Sequence, residues 1–269
     1  MRLFSVLPIA ILLTVMLPPK ERAEITTGNV LKDAYLIIAD TRGRVILWDR
    51  APRVLIISAD PRAKKMMETI RDRIETEVKP PFGPPFFESW TYVPVAKDWP
   101  KDDVRLSLRA IPKNKRGRGI AVSLPEVFTG NTDIAVVIAD RKTTAVINGL
   151  WGMKGWQARH QAEGDERGCF YQTIHYDQVR ESAYVSVVAP EEDNELFDCL
   201  WQEMMLAFGG LKQAQLSVYF SINHGAKNDR TRTNDLLLMR ALYESGAGPG
   251  GRAETVIEYF DKLFRRRWP

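Results

Sequence analysis

Apolar residues at every fourth position predict a helix in the C-terminal half of the chain. Four positions have this spacing: Leu196, Leu200, Met204 and Phe208. The spacing places the four side chains on one face of an α-helix, which can then pack against a core. Gly209 and Gly210 follow directly, and such a pair supplies the left-handed conformation that commonly ends a helix. This segment is termed the central helix below.

Short β-branched runs predict strands on the N-terminal side of the central helix. The runs span residues 45–48, 54–57, 104–111, 134–138 and 183–188. The run at 104–111 alternates apolar and polar residues, which is typical of a half-buried strand, whereas the run at 134–138 is apolar throughout. Residues 143–147 are predicted to form a hairpin partner of the 134–138 strand.

Further helices are predicted from their first residues and their apolar stripes. Asp60 and Pro61 are suited to the cap and the first turn of a helix that carries Met67, Ile70 and Ile74 on one side.

The last third of the chain is predicted to be mostly helical. Asn234 and Asp235 are predicted to cap a helix over residues 236–243, and residues 253–264 form an amphipathic helix. The fold class is therefore α+β: a mixed β-sheet packed with the central helix, followed by a helical C-terminal part. No repeat or linker divides residues 24–269, which we expect to form a single domain.

The N-terminus predicts export. Arg2 precedes an apolar run of 15 residues, 3–17, which is short for a membrane span and suited to the core of a signal peptide. Residues 1–23 are therefore predicted to be a signal peptide or an uncleaved N-terminal anchor. The expected location is periplasmic or secreted, with anchoring in the inner membrane as the alternative.

Two cysteines, Cys169 and Cys199, are the only ones in the sequence. An isolated pair in an oxidising compartment usually forms a disulfide, which is the prediction here. Two buried free thiols are the alternative. Neither residue belongs to a CxxC motif or to a Cys/His cluster, so the pattern does not indicate a metal site.

Composition and charge exclude several classes of function. The chain has 269 residues, of which 45% are hydrophobic and 27% charged, and this argues against extended disorder. A net charge of +4 is too small to indicate a nucleic-acid partner. The basic cluster at 113–118 is interpreted as a solvated loop, with contact to an anionic partner as the alternative. No P-loop, dinucleotide glycine pattern or GxSxG motif is present, and we expect no cofactor.

The central helix has the spacing of a zinc-peptidase motif but lacks its ligands. The pattern HExxHxxGxxH carries three histidine ligands and a glutamate that acts as a general base. On this chain it falls on Gln202, Glu203, Leu206, Gly209 and Lys212. The glutamate and the glycine are present, whereas all three histidines are replaced. Glu203 is thus a candidate general base, with satisfaction of a buried polar group as the alternative, and no metal ligand is predicted.

The same region carries a family resemblance. Its features are Cys199 at the start of the helix, Glu203 within it, the glycine end, and the segment 232–235 before a helix ending in Leu242 and Tyr243. In these features the chain resembles the bacterial domain-of-unknown-function 2927 family. The helix that ends in Leu242 and Tyr243 is also similar to the one that follows the active site in metzincins. The resemblance implies a zincin-like fold in an exported protein with no assigned activity.

Two classes of function follow. The first is a non-catalytic, zincin-like binding or structural module of the cell envelope, whose partner is an unidentified protein or envelope component. The second is a metal-dependent hydrolase with atypical ligands around Glu203, such as His175 and His224. Contact with a membrane is expected only through an uncleaved N-terminal segment, and no contact with nucleic acid is expected.

Overall fold

The computed structural model describes residues 27–96, 106–110, 121–125, 132–150, 168–209, 217–222 and 228–268. The predicted signal peptide or anchor, the basic cluster at 113–118 and Gly210 lie outside these ranges. Within the described residues, no helix is both long and apolar enough to cross a bilayer.

Seven strands form two sheets in the described part of the chain. They are β1 (Arg53–Ser58), β2 (Ser89–Pro94), β3 (Leu106–Ala110), β4 (Ala121–Pro125), β5 (Ile134–Ala139), β6 (Cys169–Tyr176) and β7 (Val179–Val188). The main sheet has the order β2-β1-β5-β7-β6, and β3 and β4 pair separately as an antiparallel hairpin. In the main sheet β2, β1, β5 and β7 run parallel, whereas the edge strand β6 is antiparallel to β7. The sheet is therefore mixed.

Six helices accompany the sheets in the described residues. They are α1 (Thr27–Ile38), α2 (Arg62–Glu77), α3 (Arg141–Leu150), α4 (Asp193–Gly209), α5 (Asp229–Glu244) and α6 (Ala253–Arg267). The helix α4 corresponds to the central helix predicted from the sequence, and it contacts β6, β7, α2 and α5. The predicted α+β class and the mixed sheet packed against the central helix are confirmed.

Alternation along the strands gives the sheet two apolar faces. In β1 the side chains of Val54 and Ile56 belong to the large core that also contains the apolar stripes of α2 and α4. Leu55 and Ile57 point to the opposite face, where they pack with Val137 of β5 in a smaller cluster. A parallel strand buried on both sides must be apolar at nearly every position, which explains the unbroken apolar run of β5.

The aromatic residues around the proline-rich loop at 79–85 pack against the body of the protein. Phe86 and Phe87 are buried, and both rings lie against Phe208 at the end of α4. Phe86 also makes an edge-to-face contact with Tyr243 of α5. The aromatic residues therefore join the loop between α2 and β2 to the C-terminal half of the core.

The predicted hairpin at 143–147 is wrong, because these residues belong to α3. Thr143 donates from its backbone N–H and from its hydroxyl to the carboxylate of Asp140, at 2.9 and 3.0 Å. An aspartate that accepts the N–H three residues later forms a helix N-cap. The cap turns the chain into a helix directly after β5.

The predicted cap at Asn234 and Asp235 is also wrong. Helix α5 begins at Asp229, and its N-cap is Asn228, whose side chain accepts a hydrogen bond from the Thr231 N–H. The Thr231 side chain accepts in turn from the Asn228 N–H, which completes a capping box. Asp235 therefore lies inside the helix, and its role is described below.

Two N-terminal assignments change as well. Residues 45–48 do not form a strand: Leu47 makes an isolated bridge to Val179, and the preceding Arg44 makes one to Arg252. Helix α1 is an element that the sequence pattern did not predict.

The predicted disulfide is confirmed. Cys169, the first residue of β6, is bonded to Cys199 of α4, and their Cα atoms lie 5.7 Å apart. The bond joins the antiparallel edge strand to the central helix, on the same side of the sheet as the large core.

We expect the disulfide to contribute substantially to stability. The bond closes a loop with a sequence separation of 30 residues, so a double Cys169→Ala, Cys199→Ala variant should lose about 3–4 kcal/mol of unfolding free energy. Urea unfolding followed by circular dichroism measures this difference. Reducing agent should lower the stability of the wild type to that of the variant and leave the variant unchanged. Equal midpoints for the oxidised wild type and the variant would contradict the prediction.

Candidate functional site

The residues that match the zinc-peptidase spacing lie in the interior of the protein. Helix α4 is buried from Cys199 to Gly209. Gln202 and Glu203 are each 3% exposed, and Leu206 is fully buried. The spacing therefore lies on a core helix of the sheet, and its middle ligand position is occupied by a packed hydrocarbon side chain.

The structure describes some of the other predicted site residues but not all of them. Gly209 is the last residue of α4, whereas Gly210, Lys212 and His224 lie outside the described residues. His175 lies exposed on the edge strand β6. The predicted glycine cap therefore stays a prediction at Gly210, and the structure describes only its first residue.

In the described ranges, no group of three or more His, Cys, Asp or Glu side chains is arranged to hold an ion, at Glu203 or elsewhere. The side-chain Nε2 of Gln202 is buried and has no hydrogen-bond partner among the described residues. An amide nitrogen is a hydrogen-bond donor, and burying it without an acceptor costs free energy in the core.

The C-terminal end of α4 carries a set of buried hydrogen bonds that the sequence pattern did not indicate. One guanidinium nitrogen of Arg180, on β7, donates to the carbonyl oxygens of Leu206 and Ala207 at 3.0 and 3.1 Å. The indole N–H of Trp48 donates to the same Ala207 oxygen at 3.0 Å. Helix-end carbonyls have no partner within the helix, and these donors replace the water that the core excludes.

Tyr243 completes this set of donors. Its hydroxyl, at the end of α5, donates to the carbonyl oxygen of Phe208 at 2.6 Å. The Leu242-Tyr243 ending noticed in the sequence thus has a structural role, because the tyrosine holds the end of α4. We refer to Arg180, Trp48 and Tyr243 as the α4 end cluster.

Arg180 carries its charge into the core without a carboxylate partner in any described ion pair. Burial lowers the pKa of its guanidinium to about 10, and the nearby Tyr243 and Tyr171 oppose that shift. The group therefore stays protonated at neutral pH. A cation is favoured at the C-terminal end of a helix, where the carbonyl dipoles concentrate negative charge, and this offsets part of its desolvation cost.

Asp235 joins three segments of the C-terminal half. Its carboxylate accepts the indole N–H of Trp201, on α4, at 2.8 Å and the backbone N–H of Ser221 at 3.1 Å. The Ser221 hydroxyl donates to the same carboxylate. The carboxylate is fully buried, and it fixes α5 against α4 and against the segment 217–222.

Sequence reasoning missed Arg180, Trp48 and Tyr243 as a group because they are distant in the chain. The sequence of β7 gave no signal for a buried charge, because Glu181 and Ser182 follow Arg180 directly and make the start of the strand polar. Comparison of the chain with protein-family models, with curated proteins and with solved structures finds no match.

Removing the hydroxyl of Tyr243 should destabilise the protein. Tyr243→Phe keeps the packed ring but leaves the Phe208 carbonyl without this buried donor, so the unfolding free energy should fall by about 1–3 kcal/mol. Urea unfolding provides the measurement. Tyr259→Phe is the matched control, because the Tyr259 hydroxyl meets the Glu244 carboxylate at a half-buried site, and it should change stability by less than about 0.5 kcal/mol. Equal losses in the two variants would argue against a role for the Tyr243 hydroxyl.

Asp235 should make stability depend on pH. Burial raises the pKa of its carboxyl to about 6 from 3.8, while hydrogen bonds from Ser221 and Trp201 oppose that shift. The folded state therefore binds a proton more tightly than the unfolded state. The tighter proton binding adds to the unfolding free energy. This added stability is fully present below pH 3.8 and is lost as the pH rises from 3.8 to about 6. Above about pH 6 the titration of Asp235 no longer changes the stability.

The test compares the wild type with Asp235→Asn, which cannot titrate. The unfolding free energy of the wild type, relative to that of Asp235→Asn, should fall as the pH rises from 3.8 to about 6. Because the other carboxylates are common to both proteins, their titration cancels in the difference. Parallel stability curves across this range would show that Asp235 titrates normally.

Proposed function

We propose that this protein is a non-catalytic, zincin-like binding or structural module of the bacterial envelope. One observation carries the non-catalytic part: the helix with the peptidase spacing serves the core. Gln202 and Glu203 are almost completely buried, and Leu206 fills the position of the second metal ligand. Peptide hydrolysis needs an accessible carbonyl and an activated water, and catalytic zinc needs three protein ligands.

The zincin-like part of the proposal is supported by the order of the elements. A mixed sheet precedes the Glu203-bearing helix, which lies against the sheet. The following helix, α5, carries Leu242 and Tyr243 near its end, and the Tyr243 hydroxyl donates to the end of α4. This arrangement agrees with the resemblance that the sequence suggests to the domain-of-unknown-function 2927 family and to metzincins.

Export to the envelope is supported by the apolar N-terminal run at 3–17 and by the disulfide. A bond between Cys169 and Cys199 is expected to persist in an oxidising compartment such as the periplasm. The location is therefore part of the same proposal, with anchoring by residues 1–23 as its alternative.

Metal content and peptidase activity test the proposal. Protein purified from the periplasm and supplied with zinc should retain much less than one equivalent after dialysis. It should also cleave no peptide in a fluorescent substrate library. Glu203→Gln, a neutral side chain of nearly the same shape, should behave like the wild type in both assays.

One pair of results would overturn the proposal. Stoichiometric zinc together with peptide cleavage that Glu203→Gln abolishes would establish the metal-dependent hydrolase. In that case His175→Ala and His224→Ala should each lower the zinc content, since these residues are the candidate ligands. Circular dichroism of each variant distinguishes loss of metal from loss of fold.

A further inference from the structure

A pocket of about 410 Å³ lies at the carboxyl edge of the main sheet, among the loops after β1, β5 and β7. Two of its acidic side chains are engaged at helix starts, where Asp60 binds Arg62 and Asp140 accepts hydrogen bonds from Thr143. These contacts use the charges of the pocket locally. Exposed charge of one sign is concentrated elsewhere, at the last turn of α6.

Four exposed arginines lie near Trp268, the residue that follows the last turn of α6. They are Arg265, Arg266 and Arg267 of α6 and Arg230 of the first turn of α5. The guanidinium carbons of Arg230 and Arg267 lie 4.8 and 5.8 Å from the centroid of the indole ring. The indole N–H donates to the Asn234 side chain at 3.0 Å, so the ring is held to α5.

Three of these arginines have no acidic partner in the described part of the chain. Arg265 binds the Asp261 carboxylate at 2.9 Å, and Asp229 meets Arg232 at 3.3 Å. The arginines left without a carboxylate are Arg230, Arg266 and Arg267. We refer to these three arginines and Trp268 as the basic surface.

Helix dipoles account for only part of this arrangement. Cations in a last turn offset the dipole of their helix, which suits Arg266 and Arg267. Arg230 lies in a first turn, where the dipole disfavours a positive charge. Its position against Trp268 adds a cation from a second helix to the same surface. A surface with such an excess of positive charge attracts an anionic partner.

The basic surface lies on the side of the protein where the N-terminal segment enters. Helices α1 and α6 pack against each other, and the Tyr35 hydroxyl in the last turn of α1 donates to Glu254 in the first turn of α6 at 3.4 Å. The two helices are therefore antiparallel, and the first turn of α1 lies on the same side as the last turn of α6. Residues 18–26 span at most about 30 Å, so a bilayer that holds residues 3–17 lies near this side.

We propose that the basic surface docks on the anionic headgroups of the bilayer next to the N-terminal segment. The proposal rests on the envelope location proposed above and adds a second membrane contact. Each arginine at an anionic membrane surface raises the affinity about fivefold, and the attraction extends over about one Debye length. Tryptophan is common at the same depth, between water and the acyl chains. Nucleic acid is a weaker choice of partner, because the net charge of the whole chain is only +4.

Arginine labelling on vesicles tests the proposal with the full chain. Phenylglyoxal modifies exposed guanidinium groups, and mass spectrometry then reports the labelling of each arginine. Vesicles of phosphatidylglycerol and phosphatidylcholine in equal parts should protect Arg230, Arg266 and Arg267, whereas vesicles of phosphatidylcholine alone should not. Raising the ionic strength from about 0.01 M to about 1 M shortens the Debye length from about 30 Å to about 3 Å and should remove the protection. The readout applies whether residues 1–23 are cleaved or retained.

Two charge-matched variants locate the contact. The test variant combines Arg230→Gln, Arg266→Gln and Arg267→Gln. The control variant combines Arg42→Gln, Lys79→Gln and Arg252→Gln, which are exposed positions. Arg252 lies about 20 Å from Arg266 along the axis of α6. Arg265, which both variants keep, should lose its protection in the test variant, because removal of three charges weakens the contact about 100-fold. It should stay protected in the control variant.

The results expected above support docking on anionic lipid. The proposal is overturned if anionic vesicles leave the labelling of the basic surface unchanged, if they protect Arg42 and Arg252 equally, or if the control variant loses protection as the test variant does. It is also overturned if a DNA duplex at the same phosphate concentration protects the surface as well as the vesicles do. Circular dichroism and urea unfolding confirm that each variant is folded.

Failure of this proposal is distinguishable from failure of the proposed function. Arginine labelling on vesicles depends neither on bound zinc nor on Glu203, so the zinc and peptidase assays have independent outcomes. A fusion of residues 1–30 to a reporter that is active only in the periplasm tests the location separately. Protection by anionic vesicles together with an inactive reporter would refute the location and leave the lipid contact in place.

Discussion

The end of α4 imposes the constraint on which the remaining contacts depend. Its last carbonyl groups lie in a core without access to water, and each needs a donor from another part of the chain. Arg180 comes from β7, Trp48 from the segment before β1, and Tyr243 from the end of α5. The sheet, the N-terminal segment and the C-terminal helices are therefore held to the same helix end by buried hydrogen bonds.

The same constraint makes α4, including the buried residue Glu203, part of the protein core. A helix that is buried along most of its length, bonded to β6 through Cys199 and held at its end by the α4 end cluster acts as the centre of the core. Open space with charged groups occurs instead at the carboxyl edge of the sheet, where short loops meet. The packed end of α4 and this pocket therefore lie at opposite ends of that helix, since residues 189–191 line the pocket just before α4 begins.

Local patterns predicted those elements whose sequence signal agrees with their final environment. The four-residue spacing identified α4, and the apolar runs identified β1, β5 and β7 within a few residues. The pattern failed at residues 143–147, where β-branched residues favoured a strand but the cap at Asp140 started a helix. It failed again at Asp235, where a common capping residue serves as an acceptor inside the core. In both cases a hydrogen bond decided the result, and apolar periodicity contains no information about hydrogen bonds.

By itself the sequence determined the α+β class, the central helix and the replacement of the histidine ligands, and it predicted the bond between Cys169 and Cys199. Each of these depends on residue type and spacing along the chain. Only the tertiary structure decided which buried donors meet which carbonyls, and that Arg180 and Tyr243 share the end of α4. It also decided that loops far apart in sequence enclose a pocket. Such contacts depend on the order of strands in the sheet, which the spacing of residues along one chain does not specify.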